Sequence, residues 1–339
     1  MATVTTATKR DRFYDLAPNS AFFLETSVKY LGDYLGRRDW LGRGEFVRDA
    51  EIAGQGNMNY IVRVTTNRRT FILKQSRPWV EKYSDIAAPF DRALVEAEFY
   101  KLVSGTSAAE FMPKLHWVDE ESRILCLEDL GALGDFTNVY GGFSIQAGEQ
   151  EQLCRFLSVL HSRRGPLTNR EMRALNHYHI FVFPFQSEND LELDRFTPGL
   201  QQVGDQVRGD RPLVTRVAEL GKAYLSEGDF LVHGDYFPGS WIRSASGVKV
   251  IDPEFGFSGV REFDLGVMLA HLLISGNANA LGSLASYYAH WKDLDQRLVR
   301  GFAGVEVLRR LLGVAQLPIS FDLRRKQSLI EEAVRMVLA

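Results

Sequence analysis

The chain has 339 residues, 45% hydrophobic and 24% charged, with a formal net charge of −3. That balance suits a globular protein with a sizeable core and leaves no basic excess for nucleic acid. Cys126 and Cys154 each lie in an apolar run outside any CxxC pair, so both are expected to be buried and reduced. The longest apolar run, residues 265–274, is too short to span a bilayer and contains His271. The opening residues are polar and lack an apolar signal core. A cytoplasmic location is expected.

Residues 1–15 are Thr-rich and polar, which predicts a loose arm. Apolar spacing predicts a helix over 23–35. Alternating or β-branched runs predict strands over 46–53, 60–65 and 70–75. The first two strands are separated by Gly54-Gln55-Gly56-Asn57-Met58-Asn59, residues that tolerate positive φ. A helix over 93–103 and a hairpin of 116–119 with 124–127 follow, and the hairpin ends at Glu128-Asp129-Leu130. The chain then turns mainly helical, with helices expected over 146–161, 215–225, 263–275, 281–292, 293–312 and 323–338. Short strands at 230–232 and 249–251 flank a polar loop. A β-rich region followed by an α-rich one is an α+β arrangement. The expected division is an arm 1–15, an N-terminal lobe 16–130 and a C-terminal lobe 131–339.

The strongest chemical signal is His233-Gly234-Asp235-Tyr236-Phe237-Pro238-Gly239-Ser240, followed by Asp252-Pro253-Glu254. A loop aspartate can meet a substrate hydroxyl. Two carboxylates around a proline supply the hard oxygen donors that Mg²⁺ prefers. Phosphoryl transfer needs little more than a positioned hydroxyl and cationic charge over the phosphates. Lys74 ends the run Phe71-Ile72-Leu73-Lys74. A lysine in an apolar strand needs a partner, and a phosphate with Glu96 or Glu98 would serve; Glu96 is preferred. An edge-strand lysine facing water is the plain alternative. The Gly54–Asn59 turn could cover phosphates with its N–H groups, though hairpins use the same residues. No GxxxxGK[ST] loop is present.

In this order the parts resemble the protein-kinase-like fold, most closely the aminoglycoside phosphotransferase and choline kinase superfamily. Within it, several stretches are similar to methylthioribose kinases: Gly56-Asn57-Met58-Asn59, Lys74-Gln75, His233 to Ser240, Asp252-Pro253-Glu254-Phe255 with Phe263-Asp264-Leu265-Gly266, Arg309-Arg310 with Gly313, and Asn176 to Phe181. The resemblance implies a two-lobed kinase using ATP and Mg²⁺. Asp235 would be the catalytic base, and Asp252 and Glu254 the metal ligands. Lys74, paired with Glu96, would contact the α- and β-phosphates, and Gly54, Gly56, Asn57 and Asn59 would form the nucleotide turn. The backbone around Glu128 and Leu130 would meet adenine, and Arg309 and Arg310 would sit at the acceptor site. His161 and His233 would brace the catalytic loop, and Asp264 would brace it or cap a helix. Ser240 stands where the wider superfamily usually has Asn, and two departures from the methylthioribose kinases bear on the acceptor: Tyr236-Phe237-Pro238 replaces a more polar triplet, and Gln316 replaces a His.

Other readings compete. Arg309-Arg310 could be a solvated helix face, and His177 and His179, alternating as on a strand, could hold zinc, though no third ligand lies at the right spacing. The last forty residues are richer in Arg and Lys than in Asp and Glu, which favours a neutral or anionic hydroxylated substrate over a polycation. A methylthioribose-type sugar is the leading acceptor. Another metabolite or an antibiotic comes second, and a pseudokinase that only binds nucleotide comes last. A homodimer is expected from the resemblance.

Overall fold

The structure is a computed structural model that describes residues 6–54 and 58–339. The chain divides into two compact units, residues 1–131 and 132–339. Among the described residues, no helix is long and apolar enough to cross a membrane.

The first unit contains α1 (Thr6–Leu16), α2 (Val28–Arg37), β1 (Val47–Ile52), β2 (Tyr60–Thr66), β3 (Thr70–Gln75), β4 (Trp79–Val80), β5 (Tyr83–Ala87), α3 (Arg92–Val103), β6 (Leu115–Asp119) and β7 (Ile124–Glu128). Its main sheet is antiparallel, in the order β1-β2-β3-β7-β6. Strand alternation sends Phe71 and Leu73 of β3 into a core with Val62, Val64, Leu31 and Leu35. The helix expected from residue 23 begins only at Val28, where Ser27 caps it. Residues 22–24 are irregular and tied down by Gln75, whose Oε1 accepts from Leu24 N at 2.9 Å and whose Nε2 donates to the Phe22 carbonyl at 2.9 Å.

Residues 6–16, expected as part of a loose arm, form α1. Its one fully buried aromatic, Phe13, packs edge-on to Phe23, Phe90 and Trp79 at ring distances of 5.3, 5.8 and 6.4 Å. Arg12 donates to the Ser84 carbonyl and Lys9 pairs with Glu81. The β4–β5 hairpin to which these residues dock was not anticipated, because its outward side chains break the apolar alternation.

The second unit contains α4 (Ala147–Leu160), α5 (Arg170–His177), α6 (Leu200–Gly209), α7 (Arg211–Leu225), β8 (Phe230–Val232), β9 (Trp241–Ser244), β10 (Gly247–Val250), β11 (Phe257–Gly259), α8 (Glu262–Ile274), α9 (Ala280–Tyr287), α10 (Gln296–Leu312) and α11 (Leu323–Leu338). β9 and β10 form a hairpin, and β8 pairs antiparallel with β11. α8 is buried on nearly all sides, as its apolar sequence requires. It packs closely on α10: a Cβ at Gly266 would lie 2.5 Å from Phe302 Cβ. His177 and His179 lie not on a strand but at the end of α5 and in the π-helical turn after it. Among the described residues no three His, Cys, Asp or Glu side chains cluster as metal ligands. Cys126 and Cys154 are buried and unbonded.

If α1 is part of the folded unit, Phe13→Ala should cost about 3–5 kcal/mol of unfolding free energy in denaturant titration. A loose arm would give no change.

Candidate active site

In the first unit, Lys74 lies on the central strand β3, not at an edge. The lysine and Glu96 are both buried, with Nζ 2.6 Å from Glu96 Oε2. Glu98, two positions along α3, is exposed. Gly54 has a φ of 71°, open to glycine without strain. Gly56 and Asn57 lie outside the described residues. Asn59 is buried and its Oδ1 accepts from Arg92 Nε at 3.0 Å. Glu128 ends β7, where its N–H donates to the Lys114 carbonyl at 2.9 Å and its Oε2 accepts from Lys114 N at 3.1 Å. Leu130 follows it, half-buried, and Asp129 beside it is bound by Arg63.

In the second unit, β8 leads directly into His233-Gly234-Asp235. The buried carboxylate of Asp264 holds this turn by accepting from His233 N at 2.6 Å and Gly234 N at 2.9 Å. Asp264 lies inside the first turn of α8, so its job is bracing the loop and not capping. His161 Nε2 lies 3.1 Å from the same carboxylate, and Tyr288 holds the other ring nitrogen. His233 Nε2 donates to the Ile251 carbonyl at 2.9 Å, and burial lowers the pKa of this ring. Asn176 Nδ2 donates to the Gly234 carbonyl at 3.0 Å. Gly234 has a φ of 83°, and a Cβ there would lie 2.1 Å from the Phe255 carbonyl oxygen; no other residue fits. Ser240 Oγ donates to the Asp235 carbonyl at 3.0 Å. Tyr236 turns inward and donates to the Leu153 carbonyl at 3.0 Å.

Asp252 follows β10 with φ 62° and ψ 50°, a left-handed conformation that costs a non-glycine residue about 1–2 kcal/mol. Such strain, held by surrounding structure, is common at working sites. Glu254 is buried two residues later, and Asn169 Nδ2 donates to the Glu254 and Gly256 carbonyls, each at 2.9 Å. Asp252 and Glu254 stand two residues apart in one tight turn, and two such carboxylates are a donor type that fits Mg²⁺.

Arg309 and Arg310 are buried near the C-terminal end of α10, not spread on a solvated face. Glu306, one turn earlier, accepts from Arg309 Nη1 at 2.8 Å and from Arg310 Nε at 2.6 Å. Arg310 Nη2 also reaches Asp235 Oδ1 at 3.4 Å, and its guanidinium lies 4.6 Å from the Phe237 ring centroid. His271 Nε2 is 3.2 Å from Glu306, and Tyr140 OH is 2.6 Å from His271 Nδ1. Burial raises the Asp235 pKa, while Arg310 and Arg309 pull it back. Burial also opposes ionisation of Glu306, but the two arginines hold its carboxyl well below the usual range. Burial takes His271 down to about 4. Among the described residues, Arg309 Nε and His179 Nδ1 are buried without a hydrogen-bond partner.

The structure thus joins Lys74 to Glu96 and Asp235 to Arg310. Sequence reasoning missed Glu306, His271 and Tyr140. Glu306 was detectable, since positions three and four residues before two arginines share their helix face. His271 and Tyr140 carry no local signal. The excess of basic residues near the C-terminus weakens as a substrate argument, because Glu306 and Asp235 offset the two inward arginines. Gln316 donates to the Leu311 and Gly313 carbonyls, at 3.1 and 2.7 Å, and so closes the end of α10.

Glu306→Gln leaves two buried guanidinium groups undercompensated and should cost about 3–5 kcal/mol by denaturant titration. His271 titrates near 6.5 when unfolded and at about 4 when folded. Its contribution is therefore complete above pH 6.5 and lost as pH falls toward 4. Stability measured across that window should fall less steeply in His271→Gln.

A sequence profile of the phosphotransferase enzyme family matches residues 49–299. A methylthioribose kinase of Exiguobacterium sibiricum is 27% identical, covering 78% of this chain and 80% of its own length. One from Bacillus cereus is 23% identical, covering 90% and 88%. Among solved structures, a spectinomycin phosphotransferase in complex with ADP and spectinomycin superposes with a TM-score of 0.56 at 13% identity, over 93% of this chain and 99% of that one. A choline kinase from Streptococcus pneumoniae gives 0.52 at 15% identity, over 91% and 98%. These neighbours share the protein-kinase-like fold, and with the profile spanning most of the chain, the protein belongs to the phosphotransferase enzyme family and is a small-molecule kinase.

Proposed function

We propose that the enzyme transfers the γ-phosphoryl group of ATP to a hydroxyl of methylthioribose or a closely similar sugar, at the anomeric position, giving ADP and a sugar 1-phosphate. The observation that carries this reading is the contact of Arg310 with Asp235. A carboxylate suited to take a hydroxyl proton sits beside a buried cation suited to balance phosphoryl charge. The names of the curated relatives and the arginine pair support the sugar.

On this reading Asp235 accepts the proton as the hydroxyl oxygen attacks phosphorus. Arg310 and Arg309 stabilise the transferring group. Lys74, oriented by Glu96, binds the α- and β-phosphates. Gly54 and Asn59 flank the segment that would cover them, and the backbone at Glu128 and Leu130 would meet adenine. Asp252 and Glu254 would hold Mg²⁺, which when bound supplies charge neutralisation over the β- and γ-oxygens. A cytoplasmic homodimer is the form we expect.

Phe237 favours a second reading. Its ring covers one face of Arg310 and makes that wall less polar, so the acceptor could be a different hydroxylated metabolite.

ADP release should be followed with Mg-ATP and, separately, methylthioribose, simple pentoses, choline, homoserine and an aminoglycoside. Turnover with methylthioribose is expected, falling about 10²–10⁴-fold in Asp235→Asn. Activity confined to another acceptor would discard the sugar and keep the mechanism. Nucleotide binding with no turnover on any acceptor would leave a pseudokinase.

A further inference from the structure

Arg92 opens α3 and is buried. A guanidinium carries five N–H donors in a planar fork, and each finds an acceptor. Nε donates to Asn59 Oδ1 at 3.0 Å. Nη1 donates to the carbonyls of Arg77 at 2.8 Å and Pro89 at 2.6 Å. Nη2 donates to the carbonyls of Met58 at 2.7 Å and Trp79 at 3.4 Å. The acceptors come from three places: the end of the Gly54–Asn59 turn, the entrance to the β4–β5 hairpin and the approach to α3. Glu81 N, within that hairpin, also donates to the Met58 carbonyl at 3.3 Å.

One turn further along α3 stands Glu96, the partner of Lys74. Residues four apart on a helix share a face, so one face of α3 fixes both the lysine and the end of the turn. The sheet adds register: Ile61 lies opposite Lys74 and Tyr60 opposite Gln75. Met58 and Asn59 therefore enter β2 beside the end of β3. A trans peptide points its C=O and N–H in opposite directions. With the Met58 carbonyl aimed at Arg92, the N–H of Asn59 points away from it.

We propose that Arg92 is a positioning residue for the phosphates of the nucleotide, acting through Met58 and Asn59 to set the backbone that enters β2 in register with Lys74. The inference rests on the nucleotide reading above and assigns Arg92 no contact with ATP. Lysine cannot replace it, because a single ammonium has three donors and no planar fork.

The test measures binding of ATP, ADP and adenosine to the full-length protein by calorimetry, for wild type, Arg92→Lys and Arg92→Gln. Kinetics on whichever acceptor the ADP-release assay selects run alongside. Losing several charge-assisted hydrogen bonds should weaken ATP and ADP by about tenfold or more. Adenosine affinity and the acceptor KM should stay near wild type. Lys74→Met serves as an independent check on the phosphate site. If Arg92→Lys binds all three ligands like wild type, the proposal is wrong. An equal loss for all three, including loss through unfolding, also overturns it, because the role would then be merely structural. If Lys74→Met and wild type bind ATP, ADP and adenosine alike, the nucleotide reading itself falls first.

Discussion

The second unit depends on one buried carboxylate. Asp264 receives two consecutive backbone N–H groups from the turn after β8 and also faces His161. Without it, two buried donors would lose their acceptor, at about 1–3 kcal/mol each. Its position on α8 is what makes the bracing rigid, since that helix is packed on nearly every side and cannot shift without disturbing α10. The loop that carries Asp235 is thereby fixed by a helix buried on nearly all sides. Asn176 and Ile251 complete the arrangement from two further segments.

Charge is arranged with similar economy. Two arginines face two carboxylates, Glu306 and Asp235, and a neutral His271 joins this set to Tyr140. The four charges sum to zero, so burying them is tolerable. On the mechanism proposed above, protonation of Asp235 would leave the set net positive, at the stage when a phosphoryl group most needs cations. Glu306 keeps Arg310 from being wholly committed to Asp235, since the guanidinium is shared between them.

The features readable from sequence were those carried by local spacing. The central strands, the long helices and the order of the motifs Lys74, Asp235 and Asp252-Pro253-Glu254 follow from periodicity and from the chemistry of single residues. What escaped was set by distant partners. Residues 23 and 24 look helical, but Phe22 and Leu24 are tied to Gln75 and the segment stays outside the helix. Residues 6–16 look like a polar arm, yet Phe13 finds an aromatic pocket assembled from three later segments. His271 and Tyr140 meet across more than a hundred residues, a distance no local pattern encodes. Arg92 is an ordinary helix residue until its five acceptors are seen.

The central place of β3 has a consequence for how this chain can vary. Lys74 is fixed by neighbours on both sides, β2 and β7, and its face alternates with that of Leu73. A single-residue insertion or deletion within β3 would exchange their faces, sending the ammonium into the core and the leucine toward Glu96. Length change is therefore confined to the connections, such as the turn at residues 67–69, while the strand itself admits substitution but not slippage. Lineages descending from this sequence should differ in their hairpins and keep the count of residues along β3.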